Sequence, residues 1–133
     1  MTFSIAEAAR RSGLTIDTLR YYERIELLEP PARDSGGRRV YTERELSWLG
    51  FLTKLRTTGM PIRMMRQYAA LRHGGLPTTG QRRGILVEHR RDVQERIAEL
   101  QGCLEVLNYK IDNYEQCLLA ADERAELVEE VSA

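Results

Sequence analysis

Cysteine is almost missing from this 133-residue chain: there are two, Cys103 and Cys117. They form no Cys-x-x-Cys pair and no disulfide framework. Their spacing of 14 residues spans about 21 Å of helix, too far for one metal ion or an intrachain disulfide. Histidine is as scarce, and His73 and His89 lack paired ligand spacing, so no metal site is expected. The chain has no apolar run of about 18 residues, the minimum for a transmembrane helix. Its start, Met1-Thr2-Phe3-Ser4 with acidic Glu7 close behind, lacks the basic-then-apolar layout of a signal peptide. These absences lead us to expect a cytoplasmic protein with no membrane partner. No nucleophile–base–orienter set, phosphate loop or ligand cluster is present, so neither an enzymatic activity nor a cofactor is expected.

Net charge is absent too, with 20 Lys and Arg against 20 Asp and Glu. The zero is a sum of unlike halves. Residues 1–72 hold 13 Lys and Arg against 8 Asp and Glu, whereas residues 73–133 hold 7 against 12. A basic half inside a neutral chain points to an anionic partner on that half. Eighteen of the 20 cations are arginine, a residue suited to planar contact with phosphate or guanine, although a compositional bias explains the ratio equally well.

Hydrophobic residues make up 42% of the chain and charged residues 30%, the balance of a folded domain. Ser4 and Glu7 form a capping box that opens a first helix through Ile5, Ala8 and Ala9, and Gly13 ends it. Thr15 caps a second helix with Ile16, Leu19 and Tyr22 on its core face. A short helix, a glycine turn and another short helix make a helix-turn-helix. The outer face of the second helix carries Asp17, Arg20, Tyr21 and Arg24, residues fit to meet bases and phosphates. Pro30, Pro31, Gly36 and Gly37 then forbid helix. Arg38-Arg39-Val40-Tyr41 leaves that turn as an extended piece and reads as a wing, with Arg38 and Arg39 on opposite sides.

Thr42 and Glu45 form a second capping box, opening a helix through Leu46, Leu49, Leu52 and Leu55, with Thr58-Gly59 as its stop. Pro61 begins another helix through Ile62, Met65 and Tyr68. Met60, Met64 and Met65 read as core filling. Residues 73–80 read as a hinge. Beyond it a long helix carries Val93, Ile97, Leu100, Leu104, Leu107, Ile111, Tyr114 and Leu118, spaced by alternate steps of four and three. That is a heptad seam which needs a partner helix, most simply a second copy. The pattern does not tell parallel from antiparallel. The residues after 119 read as an acidic tail, a frayed or loosely docked helix.

The order of these parts resembles the MerR family of bacterial transcription regulators. The likeness rests on Thr15-Ile16-Asp17-Thr18-Leu19-Arg20-Tyr21-Tyr22, Gly37-Arg38-Arg39-Val40-Tyr41 and Thr58-Gly59-Met60-Pro61-Ile62. It implies a mainly α fold: a winged helix-turn-helix head over 1–72, the hinge over 73–80, an antiparallel coiled-coil dimerisation helix over 81–119 and an acidic tail over 120–133. It makes Thr15, Asp17, Arg20, Tyr21, Arg38, Arg39, Tyr41 and Arg63 the expected DNA contacts. Glu26 stands where the family often has glycine, and Arg38 stands where it often has an aromatic residue. The implied partners are double-stranded promoter DNA, a second copy of the chain and RNA polymerase.

The resemblance is closest to the branch that responds to aldehydes and other electrophiles, but Lys54 occupies the position of that branch's usual cysteine. Cys103 and Cys117, each beside a seam residue, remain as candidates for a redox switch or as small seam-edge residues. A small-molecule site lined by Tyr68, Tyr109 and Tyr114 is a further expectation. The implied function is a homodimeric regulator that binds a pseudo-palindromic promoter and remodels its spacer in response to a stress or small-molecule signal. The rival is a coiled-coil architectural protein that binds DNA without reading sequence.

Overall fold

A computed structural model describes residues 1–132. The chain runs β1 (Thr2–Ser4), α1 (Ile5–Ser12), α2 (Ile16–Arg24), β2 (Val40–Thr42), α3 (Glu43–Thr57), α4 (Ile62–His73), a 3₁₀ turn (Leu76–Thr78) and α5 (Thr79–Ser132). The fold is mainly helical, as expected. The strands β1 and β2 pair antiparallel, with Phe3 opposite Tyr41. Sequence spacing does not reveal this pairing, because three residues are too few to show alternation.

Local chemistry sets the helix ends. Ser4 Oγ accepts the Glu7 amide at 3.2 Å and Thr15 Oγ1 accepts the Thr18 amide at 3.0 Å. The capping box is complete only at α3, where Thr42 and Glu45 bond to each other's backbone amides. At α1 the Glu7 carboxylate turns instead to Arg10 and Arg11. Hydrogen bonds from Arg10 and then Arg11 hold that carboxyl below the usual carboxylate range. Gly13 closes α1 at φ 74°, a conformation that costs glycine little.

The core lies among the first four helices and takes in Leu19, Tyr22, Leu27, Leu49, Leu52 and Met65. Trp48 fixes it at one edge. Its indole N–H donates to the Leu27 carbonyl at 2.8 Å, Tyr68 stacks on its ring at 6.0 Å, and the Arg72 guanidinium lies 4.1 Å from the ring centre. The first turns of α5 also pack on this core through Ile85 and Leu86. His89 Nε2 and Thr58 Oγ1 share a hydrogen bond of 2.8 Å. The compact unit therefore runs from Met1 to Arg91, past the expected boundary at 72.

The connection before α5 is shorter than the expected 73–80 hinge, because His73 still belongs to α4 and Thr79 already opens α5. Arg82 holds it in place, donating to Thr78 Oγ1 at 3.1 Å and to the Gly75 carbonyl at 3.1 Å. The second unit begins at Asp92 and is helix throughout its described length. The acidic tail, expected as helix, continues α5 to Ser132. The sequence after Gly102 contains no glycine or proline to stop it. Ala133, the last residue of the expected tail, lies outside the described residues. No helix among the described residues is long and apolar enough to cross a membrane.

Candidate nucleic-acid interface

The outer face of α2 is open. Asp17, Arg20, Tyr21 and Arg24 are all exposed, while Leu19 and Tyr22 on the opposite face are buried. Arg20 and Asp17 approach to only 4.0 Å, and both are exposed. Such a pair is weak, so the guanidinium remains available to a phosphate. Arg24 sits 5.8 Å from the centre of the Tyr21 ring. Thr15 is exposed, but its hydroxyl is engaged in capping α2 and in a 2.8 Å contact with Thr18 Oγ1.

The wing is built around Asp34. Its Oδ1 accepts the amides of Gly36 and Arg38, each at 2.9 Å, and Gly37 takes φ 78°. Arg33 then bridges antiparallel to Arg39, and the Val40 amide donates to the Ala32 carbonyl at 2.9 Å. Arg38 is exposed at the tip. Arg39 points the other way, half-buried, and its Nε donates to Glu23 Oε2 of α2 at 2.8 Å. Arg39 therefore ties the wing to α2.

Tyr41 is a correction. Expected as a DNA contact, it is 1% exposed and cannot reach a ligand. Strand alternation turns it inward, between a half-buried Val40 and an exposed Thr42, where it packs in the core. Burial pushes its phenol pKa up, and the nearby Glu23 carboxylate adds to the rise.

Arg63 is exposed in the first turn of α4. It lines a cleft of about 690 Å³ with Arg24 and Arg66, among the acidic Glu23, Glu26 and Glu29. Arg66 Nε donates to the Ile25 carbonyl at 3.0 Å and so anchors α4 to the end of α2. Arg24 was read on the outer face of α2, whereas Arg66 was not singled out in the sequence. Arg66 lies one turn from Arg63, a signal that the spacing carries, but its proximity to α2 depends on packing.

A family model described as MerR HTH family regulatory protein matches residues 3–71, and one described as MerR, DNA binding matches residues 46–108. The chain belongs to the MerR family. It is 34% identical to a MerR family transcriptional regulator from Listeria monocytogenes, with a TM-score of 0.88 over 98% of this chain and 99% of that one. It is 34% identical to HiNmlR, a MerR family regulator lacking the sensor domain and solved bound to promoter DNA. The TM-score there is 0.80 over 87% of this chain and 92% of HiNmlR. It is also 37% identical to the HTH-type transcriptional regulator AdhR of Bacillus subtilis, over 69% of this chain and 66% of AdhR.

This MerR protein is thus a DNA-binding transcriptional regulator and not an enzyme. Its helix-turn-helix and small β ladder precede the kind of long helix through which MerR proteins dimerise. Along that helix Ile97, Leu100, Leu104, Leu107, Ile111, Tyr114 and Leu118 are between 50% and 65% exposed, and Val93 is half-buried. Lys54 is exposed. Cys103 and Cys117 are free thiols, both exposed. Of the three tyrosines expected to line a small-molecule site, Tyr68 is buried against Trp48, while Tyr109 and Tyr114 are exposed.

Proposed function

We propose that this regulator binds a pseudo-palindromic promoter site as an antiparallel homodimer and remodels the promoter spacer so that RNA polymerase engages both elements, in response to a stress or small-molecule signal. The observation that carries the dimer is the seam, apolar and half-exposed in a single chain. Burying the exposed half of each such side chain yields roughly 1 kcal/mol, and a second copy offers the same stripe. A two-fold protein reads a two-fold site, because half-site spacing mirrors the dimer axis. The DNA complex of HiNmlR supports promoter DNA as the ligand class.

In this reading Thr15 and Asp17 at the start of α2, with Tyr21 farther along its open face, lie closest to base edges, while Arg20, Arg38 and Arg63 meet phosphates and set the register. Arg39 acts through Glu23 by holding the wing. Contacts beyond the recognition helix then offset the energy of bending and untwisting the spacer. A nuclease footprint on the DNA upstream of its own gene tests the reading. A dyad-symmetric protected site, lost in Leu107→Asp along with the dimer in sedimentation, is expected. Protection without dyad symmetry, or a Leu107→Asp protein that still binds as a dimer, would overturn it.

A further inference from the structure

The hydroxyl of Thr58 meets three partners. It lies 2.9 Å from the Lys54 carbonyl, 3.2 Å from the Leu55 carbonyl and 2.8 Å from His89 Nε2. A hydroxyl carries one proton, and a carbonyl can only accept. The proton therefore goes to the end of α3, and Oγ1 accepts from His89 Nε2–H. Thr58 closes α3 and opens the turn Thr58-Gly59-Met60-Pro61. Within that turn the Met60 amide returns to the Leu55 carbonyl at 2.9 Å, and the Met60 side chain is buried. The turn leads into the start of α4, where Arg63 is exposed. His89 lies on α5, one turn beyond Leu86, which packs on the core, and just before the compact unit ends at Arg91. Among the described residues no other side-chain hydrogen bond joins α5 to α3. Those of Arg82 stay within the connection and the first residue of α5.

We propose that His89 is a positioning residue for promoter remodelling: by donating to Thr58 it fixes the start of α5 against the turn that presents Arg63. The inference rests on the dimeric, spacer-remodelling regulator proposed above. In such a dimer each head grips one half-site, and the heads are joined through their α5 helices. Deforming the spacer costs energy, so the DNA pulls back on the heads, and the pull is resisted where α5 meets each head. Ile85 and Leu86 hold that junction by apolar contact, which is non-directional and yields to sliding. A hydrogen bond is directional and weakens steeply as its angle closes. Without the His89 donor, α5 gives way on the head and the spacer relaxes. Affinity falls less, because the phosphate contacts on each head survive. One neutral hydrogen bond supports an effect of about two- to tenfold.

The test places the fluorescent base 2-aminopurine at the dyad centre of the footprinted site, where unstacking brightens it. Its fluorescence is read with the full-length protein at saturation, beside affinity by anisotropy and dimerisation by sedimentation. His89→Ala and Thr58→Val should each lower the fluorescence rise about two- to tenfold, with a smaller change in affinity and the dimer intact. His89→Gln, whose amide N–H stands near the position of Nε2, and Thr58→Ser should restore most of the rise. The double variant His89→Ala, Thr58→Val should match the single ones, because both remove the same bond. A rise unchanged in the single variants, or losses that add in the double variant, would overturn the positioning role. So would an affinity loss as large as the fluorescence loss, which is the mark of a damaged head. If the wild-type dimer binds its site with no rise at all, the remodelling reading fails and takes this inference with it.

Discussion

Glu26 adopts φ 64°, alone among the non-glycine residues described. Its place explains the strain: the Leu27 and Leu28 amides both turn back to the Tyr22 carbonyl, at 2.9 and 3.2 Å. That reversal sends both leucines into the core and needs a left-handed residue directly before them. A side chain there costs about 1–2 kcal/mol, partly offset because glycine loses more freedom on folding. Glu26→Gly should therefore stabilise the protein by about 0.5–1 kcal/mol, read as a higher urea midpoint with an unchanged slope. A lower midpoint would show that the carboxylate holds the turn. Tyr41 makes a second single-residue case. Its folded pKa lies above the ordinary value of 10.0 because burial disfavours the phenolate. The contribution is therefore fully present below pH 10 and is lost as pH rises through the folded pKa. Tyr41→Phe should leave stability at pH 7 nearly unchanged and flatten its decline above pH 10. An equally steep decline would move the titrating group to Tyr22, which burial also pushes up.

The wing separates two arginines that look alike in sequence. Arg38 is exposed, whereas Arg39 is spent on Glu23. Arg38→Ala should lower DNA affinity and shallow the salt dependence by about one unit, the effect of one lost phosphate contact. Arg39→Gln should weaken binding for another reason, since it frees the wing and leaves Glu23 uncompensated near the DNA. The double change Glu23→Gln, Arg39→Gln should then recover part of the loss, measured by fluorescence anisotropy on one duplex. A double variant as weak as the single one would make Arg39 a direct phosphate contact. Adjacent residues on an extended piece point apart, so their divergence was legible in the sequence. Which of them meets α2 was not, because that depends on a pairing 16 residues distant. The same limit explains Tyr41, read from its neighbours as part of the wing and turned inward by β1, which the spacing did not disclose. Helix positions and caps were legible because they depend on residues three or four apart. The seam was legible for the same reason. Where helices meet, as at Arg24, Arg63 and Arg66, the outcome depends on packing between distant segments.

Across the whole chain the neutral charge total divides more sharply than the sequence halves suggest. Up to Arg91, the end of the compact unit, there are 17 Lys and Arg against 9 Asp and Glu, and beyond it 3 against 11. The first turns of α5 add arginines to the head, and the rest of the helix is predominantly acidic. Non-specific DNA binding depends on the summed field, whereas specific binding depends on contacts at short range. An acidic segment therefore suppresses the first more than the second wherever its field reaches the DNA. The reach is about 30 Å at 0.01 M salt and about 10 Å at 0.1 M. Replacing Asp122, Glu123, Glu126, Glu129 and Glu130 by their amides should raise affinity for random duplex several-fold at the lower salt and little at the higher. Affinity for the footprinted site should change less, so the specific-to-non-specific ratio falls. Measuring both duplexes across salt also separates the regulator from an architectural coiled coil, because only the regulator starts with a large ratio to lose. If random-duplex affinity stays unchanged at every salt, the acidic segment lies beyond electrostatic reach of the DNA.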